Sequence, residues 1–577
     1  MSYLLNEPAR FVEEMTDGFV AAHSDVVRRV GGGVARRRPT PAGQVAVVIG
    51  GGSGHYPAFA GLVGPGLAHG AAMGNVFASP SAQQVRAVAK AVESGAGVLL
   101  VYGNYAGDVL NFDQAQAWLR EEGVPCRTVV VTDDISSAPD ADRERRRGVA
   151  GDLVVFKAAV WAAEQGLDLD AVTAFAQSAN GRTRTLGVAF SGCTLPGAPA
   201  PLFTVPPGRM AVGMGIHGEP GISESELPTA DELATLLVDR VLASAPTGAA
   251  SGRVAVLLNG LGAVKSEELF VTYRKVAALL QERGLVVVRP EVGEMVTSFE
   301  MAGVSLTVSW LDSELEQAWV APAHGPGYHR AHMDPAVLEQ EETEDRHASR
   351  QAFPQGSLES RTDARRVLQV LHHVKDALTA EAEELGRLDA VAGDGDHGIG
   401  MQRGVVAAVD AAEHAVAAGA GAATTLSAAA DAWGEHAGGT SGALWQVLLG
   451  AVARHCDDTA PLTGKQVRAG VDAAAEAVVA FGGAQPGDKT MVDAVLPFAR
   501  AFGRGTDEGL PLTAAWPAAA GTAAEAAAGT ATLVPRLGRA RPHAERSLGT
   551  PDPGATSFAV VVRTVAQSLH DSPVSQS

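Results

Sequence analysis

A chain of 577 residues, 46% hydrophobic and containing 67 glycines, is long enough for two or more domains and too apolar for disorder. Its formal net charge of -20 at pH 7 repels phosphate backbones and anionic lipid, which sets aside nucleic acid and membrane surfaces as partners. The three cysteines, Cys126, Cys193 and Cys456, are odd in number and far apart; they suggest neither a disulfide framework nor a zinc site and read as buried small apolar residues.

The N-terminus lacks a basic region followed by an apolar core, and no uninterrupted apolar run reaches about 18 residues, so a cytoplasmic protein with no membrane segment is expected. Over residues 1–325, Val/Ile/Leu runs alternate with helical stretches. The runs are QVAVVIGGG (Gln44 to Gly52), GVLLVYGN (Gly97 to Asn104), RTVVVTDD (Arg127 to Asp134), RVAVLLNGLG (Arg253 to Gly262) and LVVVRPEVG (Leu285 to Gly293). This rhythm predicts an α/β domain with buried strands, whose site lies in loops beyond the strands' C-terminal ends. Its one basic run, RERRRG from Arg143 to Gly148, reads as a solvated face.

Residues 326–362 are charged, contain proline and lack apolar periodicity, and read as a linker. From 363 to 577, long alanine-rich stretches replace the strand signals and predict an all-α domain. The last ten residues read as a frayed tail.

In the second domain, GDGDHGIG (Gly393 to Gly400) sets Asp394 and Asp396 in a flexible turn, with Asp389 at the end of a predicted helix. Converging carboxylates disfavour their own ionisation unless a cation offsets them. Mg²⁺ takes a few carboxylates and leaves room for phosphate oxygens. A solvated acidic loop or a calcium site is the alternative, although the glutamate that ends an EF-hand loop is missing. GGTSGALW (Gly438 to Trp445) offers small residues and the Thr440 and Ser441 hydroxyls at a predicted helix start, suited to an anion. PGDKTMVDA (Pro486 to Ala494) and DPGATS (Asp552 to Ser557) are further glycine turns, readable as a composite nucleotide site or as ordinary caps. No GxxxxGK[ST] motif occurs, and GGGSGHYP places His55 where a dinucleotide-binding loop needs glycine.

In the first domain, three strand-exit loops carry His55 (VVIGGGSGHYP), Asp108 (VYGNYAGDVLNF) and His217 (GMGIHGEPG). They suit an acid/base pair plus a nucleophile, against the alternative of structural histidines.

With GNVFASPS, NGLGA, VTSFEMAGVSLTV and ERSLGTPDPGATS, these segments run in order along nearly the whole chain. Together they resemble the dihydroxyacetone kinase family in its fused, ATP-dependent form. The resemblance implies a ketose-binding domain of two α/β subdomains, followed by a nucleotide-binding barrel of antiparallel helices. It implies that His217 captures the substrate carbonyl as a hemiaminal, that Asp108 is the base for the terminal hydroxyl, and that His55 assists proton transfer. Gly52, Ser53 and Gly54 would cradle the substrate. Asp389, Asp394 and Asp396 would hold two Mg²⁺ ions on ATP, with His397, Gly398, Thr440, Ser441, Gly482, Met491, Arg546 and Gly554 at nucleotide positions. A homodimer is also implied.

Two positions depart from the family pattern. Tyr56 stands at the glutamate of GGGSGHEP, and Gly103 at the substrate-contacting lysine of KNYTGD. Loss of that lysine opens space and removes a donor, which favours a larger substrate such as D- or L-erythrulose over dihydroxyacetone. The other readings within reach are a phosphotransferase-linked carrier of bound ADP, an FAD-AMP lyase that cyclises, and a non-catalytic ketose sensor.

Overall fold

The computed structural model describes residues 4–247, 251–332, 353–537, 541 and 544–571. The chain divides into two units, Met1–Glu341 and Glu342–Ser577.

The first unit holds two large sheets and a short two-stranded hairpin. One contains β1 (Val27–Val30), β2 (Gly33–Arg36), β3 (Ala46–Ser53), β4 (Gly70–Val76), β5 (Val98–Gly103) and β6 (Cys126–Val131), in the order β1-β2-β4-β3-β5-β6. From β4 through β3 and β5 to β6 the pairing is parallel. Every residue of β3 and β5 is buried, because helices cover both faces. Ala46, Val48, Val98 and Leu100 pack on Ala82–Val92 and Ala106–Glu121. Val47, Ile49, Leu99 and Val101 pack on Asp152–Glu164 and Leu169–Gly181. The two-residue period of the strand thus feeds two separate cores.

The second sheet contains β7 (Thr183–Ala189), β8 (Arg209–Val212), β9 (Ser223–Glu226), β10 (Arg253–Gly260), β11 (Val286–Val287), β12 (Glu291–Gly293) and β13 (Gly303–Trp310). It runs β11-β10-β13-β7-β8-β9, with β12 also on β10. Its central pairings, β10 with β13 and β13 with β7, are antiparallel. Asn259, at the end of β10, is fully buried and donates to Val296 O and Ser305 Oγ while accepting from the Met295 and Val296 amides. That one side chain fixes the loop that follows β12.

The segment expected as a linker, 326–362, overlaps folded elements at both ends. His329–Arg330 pairs with Ala323–His324 in a hairpin. Its charge is not solvated: Arg330 is buried, donates to Trp319 O and pairs with Glu291. At the other end, Ser357 caps the helix Leu358–Ala380, whose Leu371, Val374 and Leu378 enter the second core. Residues 333–352 lie outside the described residues.

RERRRG is likewise not a wholly solvated face. Arg146 is 2% exposed, donating to Ala138 O and pairing with Asp140, and Arg147 pairs with Asp134. Of the cysteines, Cys126 and Cys193 are buried and Cys456 is only partly so.

Among the described residues the second unit is all helix. Leu358–Ala380, His397–Ala417, Ala422–Ala437, Gly439–Ala453, Gly464–Gly482, Val492–Asp507, Leu512–Gly529 and Pro553–Asp571 pack each on the next, and the last returns to the first. The ring is a barrel. Alanines let the helices approach closely, while Trp433, stacked on Trp445 at 4.9 Å, and Phe498, Phe502 and Trp516 fill its inside. The end of the expected frayed tail, residues 572–577, lies outside the described residues; the four residues before it are helical. No described helix is long and apolar enough to cross a membrane.

Candidate active site

In the first unit, the loops after β3 and β8 bring His55 and His217 together, Nε2 to Nε2, at 3.0 Å. His55 is 2% exposed and stacks on Phe77 at 4.9 Å. Its Nδ1–H donates to Thr297 O at 2.7 Å, since a carbonyl can only accept. His217 Nδ1 lies 3.1 Å from Glu219 Oε1, and its ring meets Tyr105 edge-on at 4.7 Å.

The electrostatics set the states of His55 and Glu219. Burial, then the neighbouring His217, lowers His55 to about 3, so His55 is neutral. Burial would raise the Glu219 carboxyl, but its hydrogen bond to His217, that ring's charge and Arg147 outweigh it and bring Glu219 down to about 2. Glu219 is therefore a carboxylate and His217 Nδ1 carries hydrogen. With both Nδ1 atoms donating, a hydrogen bond at the Nε2 contact needs one further proton between the two rings.

Asp108 sits in the first turn of Ala106–Glu121 and is 8% exposed. Burial, offset by a Ser79 hydrogen bond and by His217, raises it to about 6. Its Oδ1 has no hydrogen-bond partner. A carboxyl near 6 with one free oxygen suits a general base at neutral pH.

Gly52 and Ser53 close β3 and Gly54 follows it. Ser53 Oγ donates to Gly74 O at 2.7 Å. A β-carbon on Gly52 would lie 2.8 Å from Ala78 N, and one on Gly54, at φ 101°, 2.6 Å from the Phe299 ring. These glycines therefore serve close approach of the β4 loop and of Phe77 and Phe299, which wall His55. Gly103 ends β5 beside Tyr105. Tyr56 is 46% exposed and packs on Phe19, with its ring beside Gly61 and its hydroxyl beside Gly327.

In the second unit, a cavity of about 640 Å³ is lined by Asp389, Asp394, Asp396, His397, Thr440, Ser441, Gly482, Met491 and Gly554. Gly398 and Arg546 are not among its lining residues. Gly398 instead lets its helix approach the helix Ala382–Asp389, because a β-carbon there would lie 1.8 Å from Ala382 O. Arg546 is exposed on the short helix Ala544–Ser547.

Asp389, Asp394 and Asp396 each offer a carboxylate oxygen, all within 4.8 Å of one another. Three hard oxygens so close fit a divalent cation such as Mg²⁺. Asp389 Oδ2 also accepts from Gly395 N at 2.8 Å, which sets the turn. His397 Nε2 lies 3.0 Å from Ser557 Oγ and its Nδ1 3.3 Å from Ser441 Oγ. Burial lowers His397 although Asp389 opposes it, leaving a neutral ring. Thr440 and Ser441 open the helix Gly439–Ala453, whose first amides suit phosphate.

Residue types alone did not single out several members of these sites. Glu219 orients His217; Thr297 and Ser79 hold His55 and Asp108. In the cavity, Lys489 donates to Ser547 O at 2.6 Å, and burial raises Asp552 to about 7 while its Oδ2 accepts from Ala555 N. A carboxylate two residues after His217 in a glycine loop was the one usable signal.

The Dak1 domain family matches residues 17–327 and the DAK2 domain family residues 391–567. An L-erythrulose kinase of Pectobacterium atrosepticum is 57% identical over 100% of this chain and 98% of its own. A D-erythrulose kinase of Mycolicibacterium smegmatis is 53% identical over 99% of each. Among solved structures, the dihydroxyacetone kinase from C. freundii in complex with AMP-PNP and Mg²⁺ aligns over 98% of this chain and 99% of its own, at 29% identity and TM-score 0.57. With two ordered domain matches and full-length relatives above half identity, the chain belongs to the dihydroxyacetone kinase family in its fused two-domain form.

Proposed function

We propose that this enzyme, an ATP-dependent ketose kinase, phosphorylates a terminal hydroxyl of erythrulose held covalently on His217. The observation that carries the reading is the Nε2 to Nε2 contact of His55 and His217 beside Glu219. Full-length relatives named as L- and D-erythrulose kinases support the substrate.

The chemistry follows from this geometry. His217 Nε2 attacks the carbonyl carbon with its lone pair, and the oxygen of the hemiaminal must gain a proton. A proton held between the two rings serves the step when it lies on His55 Nε2: His217 Nε2 is then free to attack, and His55 passes the proton to the carbonyl oxygen. Glu219 keeps hydrogen on Nδ1, so the attacking nitrogen is always Nε2. Glycerol has no carbonyl to capture and is excluded. Asp108, ionised above about pH 6, takes the proton of the terminal hydroxyl as that oxygen attacks phosphorus.

In the second unit, Asp389, Asp394 and Asp396 would hold Mg²⁺, two ions in this reading. Mg²⁺, when bound, neutralises triphosphate charge. His397, Thr440, Ser441, Gly482, Met491 and Gly554 would contact the nucleotide, with Lys489 added; Gly398 and Arg546 act at one remove. Gly52, Ser53 and Gly54 would shape the ketose pocket more than touch its contents. A cytoplasmic homodimer, with domains near 1–325 and 363–577, completes the proposal.

The test is ADP release from Mg²⁺–ATP, with no carrier protein, across dihydroxyacetone, D- and L-erythrulose, D-glyceraldehyde and glycerol. Multiple turnovers favouring an erythrulose, with glycerol inert, are expected. Turnover favouring dihydroxyacetone would contradict the substrate assignment.

A further inference from the structure

Asp152 begins the helix Asp152–Glu164 and is 3% exposed, yet its Oδ1 has no hydrogen-bond partner. Nearby Asp133, fully buried, shows what a structural buried acid looks like: its oxygens accept from the Val149 and Gly151 amides, each at 2.8 Å. Asp152 lacks any such pairing at Oδ1, and an unmet buried polar atom is costly unless something else meets it.

What lies beside it is the substrate site. A β-carbon on Gly103 would sit 3.5 Å from Asp152 Oδ2 and 3.3 Å from the Tyr105 ring, and that ring touches His217. Asp108, whose charge reaches Asp152, also has an unpartnered Oδ1. Without a side chain at Gly103, a methyl-sized gap is left beside the Tyr105 ring, the Gly148 backbone and Asp152 Oδ2.

We infer that Asp152 and Gly103 form a specificity subsite in which the Asp152 carboxyl hydrogen-bonds the additional hydroxyl of a four-carbon ketose captured at His217. Burial, with Asp133 and Asp108 close by, holds the Asp152 carboxyl well above the usual carboxylate range. A neutral carboxyl both donates and accepts, which is what an alcohol needs. Dihydroxyacetone ends one carbon short and leaves the acid unmet, and a site built to bond a hydroxyl discriminates against the analogue lacking it. The inference rests on the four-carbon reading above.

The experiment measures kcat/KM for erythrulose and for dihydroxyacetone in the wild type, Asp152→Val, Asp152→Asn and Gly103→Lys. Valine matches the shape of aspartate and orphans no partner, so Asp152→Val folds with an undiminished Tm. Its erythrulose-to-dihydroxyacetone ratio falls about ten- to hundredfold, carried by KM for erythrulose. Asp152→Asn, which still donates and accepts, keeps the larger part of the ratio. Gly103→Lys fills the space with an ammonium against Asp152 and shifts the ratio toward dihydroxyacetone. An unchanged ratio in Asp152→Val, or equal loss on both substrates, overturns the subsite while leaving the four-carbon reading standing. A wild type that itself prefers dihydroxyacetone overturns that reading, and the subsite with it.

Discussion

His55 and His217 meet through their Nε2 atoms at 3.0 Å, so the nitrogen proposed to attack the ketone and the nitrogen proposed to pass on the proton are in direct contact. The rest of the ketose site serves this pair: Thr297 and Glu219 occupy the outer nitrogens, and Phe77 shields the rings.

Removing His217 should therefore remove capture. His217→Ala is expected to lower ketose kcat/KM by at least about a thousandfold while KM for ATP stays near the wild-type value. Steady-state kinetics with each substrate varied in turn will show it; equal weakening of ketose and ATP would contradict the separation of the two sites.

The pH profile should report Asp108. Its carboxyl is raised to about 6 and must be ionised to accept a proton, so kcat falls as pH drops through about 6 and is level above it. His55, lowered to about 3, adds no limb in that range. Asp108→Asn is expected to lower kcat about a hundred- to ten-thousandfold. A wild-type profile flat down to pH 5 would remove Asp108 as the base.

Glu219→Gln keeps the shape but not the charge that holds His217 Nδ1. Ketose kcat/KM should fall about ten- to hundredfold with KM for ATP unchanged. A variant as active as the wild type would show that His217 needs no carboxylate at Nδ1.

On the nucleotide side, Asp394→Asn removes one of three converging charges. KM for Mg²⁺–ATP is expected to rise at least about tenfold, partly recovered by excess Mg²⁺, while ketose binding followed by calorimetry is retained. Unchanged Mg²⁺ dependence would take Asp394 out of the cation site.

Much of this site was legible because chemistry-bearing residues sit in glycine-rich loops at strand ends, where sheet topology gathers them. His55 and His217 are such residues and Asp108 sits in the first helical turn after β5, whereas Asp389, Asp394 and Asp396 lie at a helix end and in the glycine turn that follows it, with no sheet to gather them. What sequence could not show was direction. Tyr56 and Gly103 both read as pocket departures, but Tyr56 turns onto Phe19, far along the chain, and only Gly103 borders the site. Ser53 is expected in the substrate cradle, and its hydroxyl is taken up by Gly74 O. Arg146 looked solvated and Arg330 fell in the expected linker, yet both are buried, because their partners, Ala138 and Asp140 for one and Trp319 and Glu291 for the other, lie on separate turns of chain. Gly398 is expected at a nucleotide position, but its closest packing is against the backbone of a neighbouring helix.

The most direct test of covalent capture is ¹³C NMR of erythrulose labelled at the carbonyl carbon, mixed with the enzyme in the absence of ATP. The account predicts that the bound signal moves from the carbonyl region to that of a saturated carbon in the wild type and in Asp108→Asn, and that it does not in His217→Ala. A bound carbonyl signal that stays in place in the wild type would contradict it.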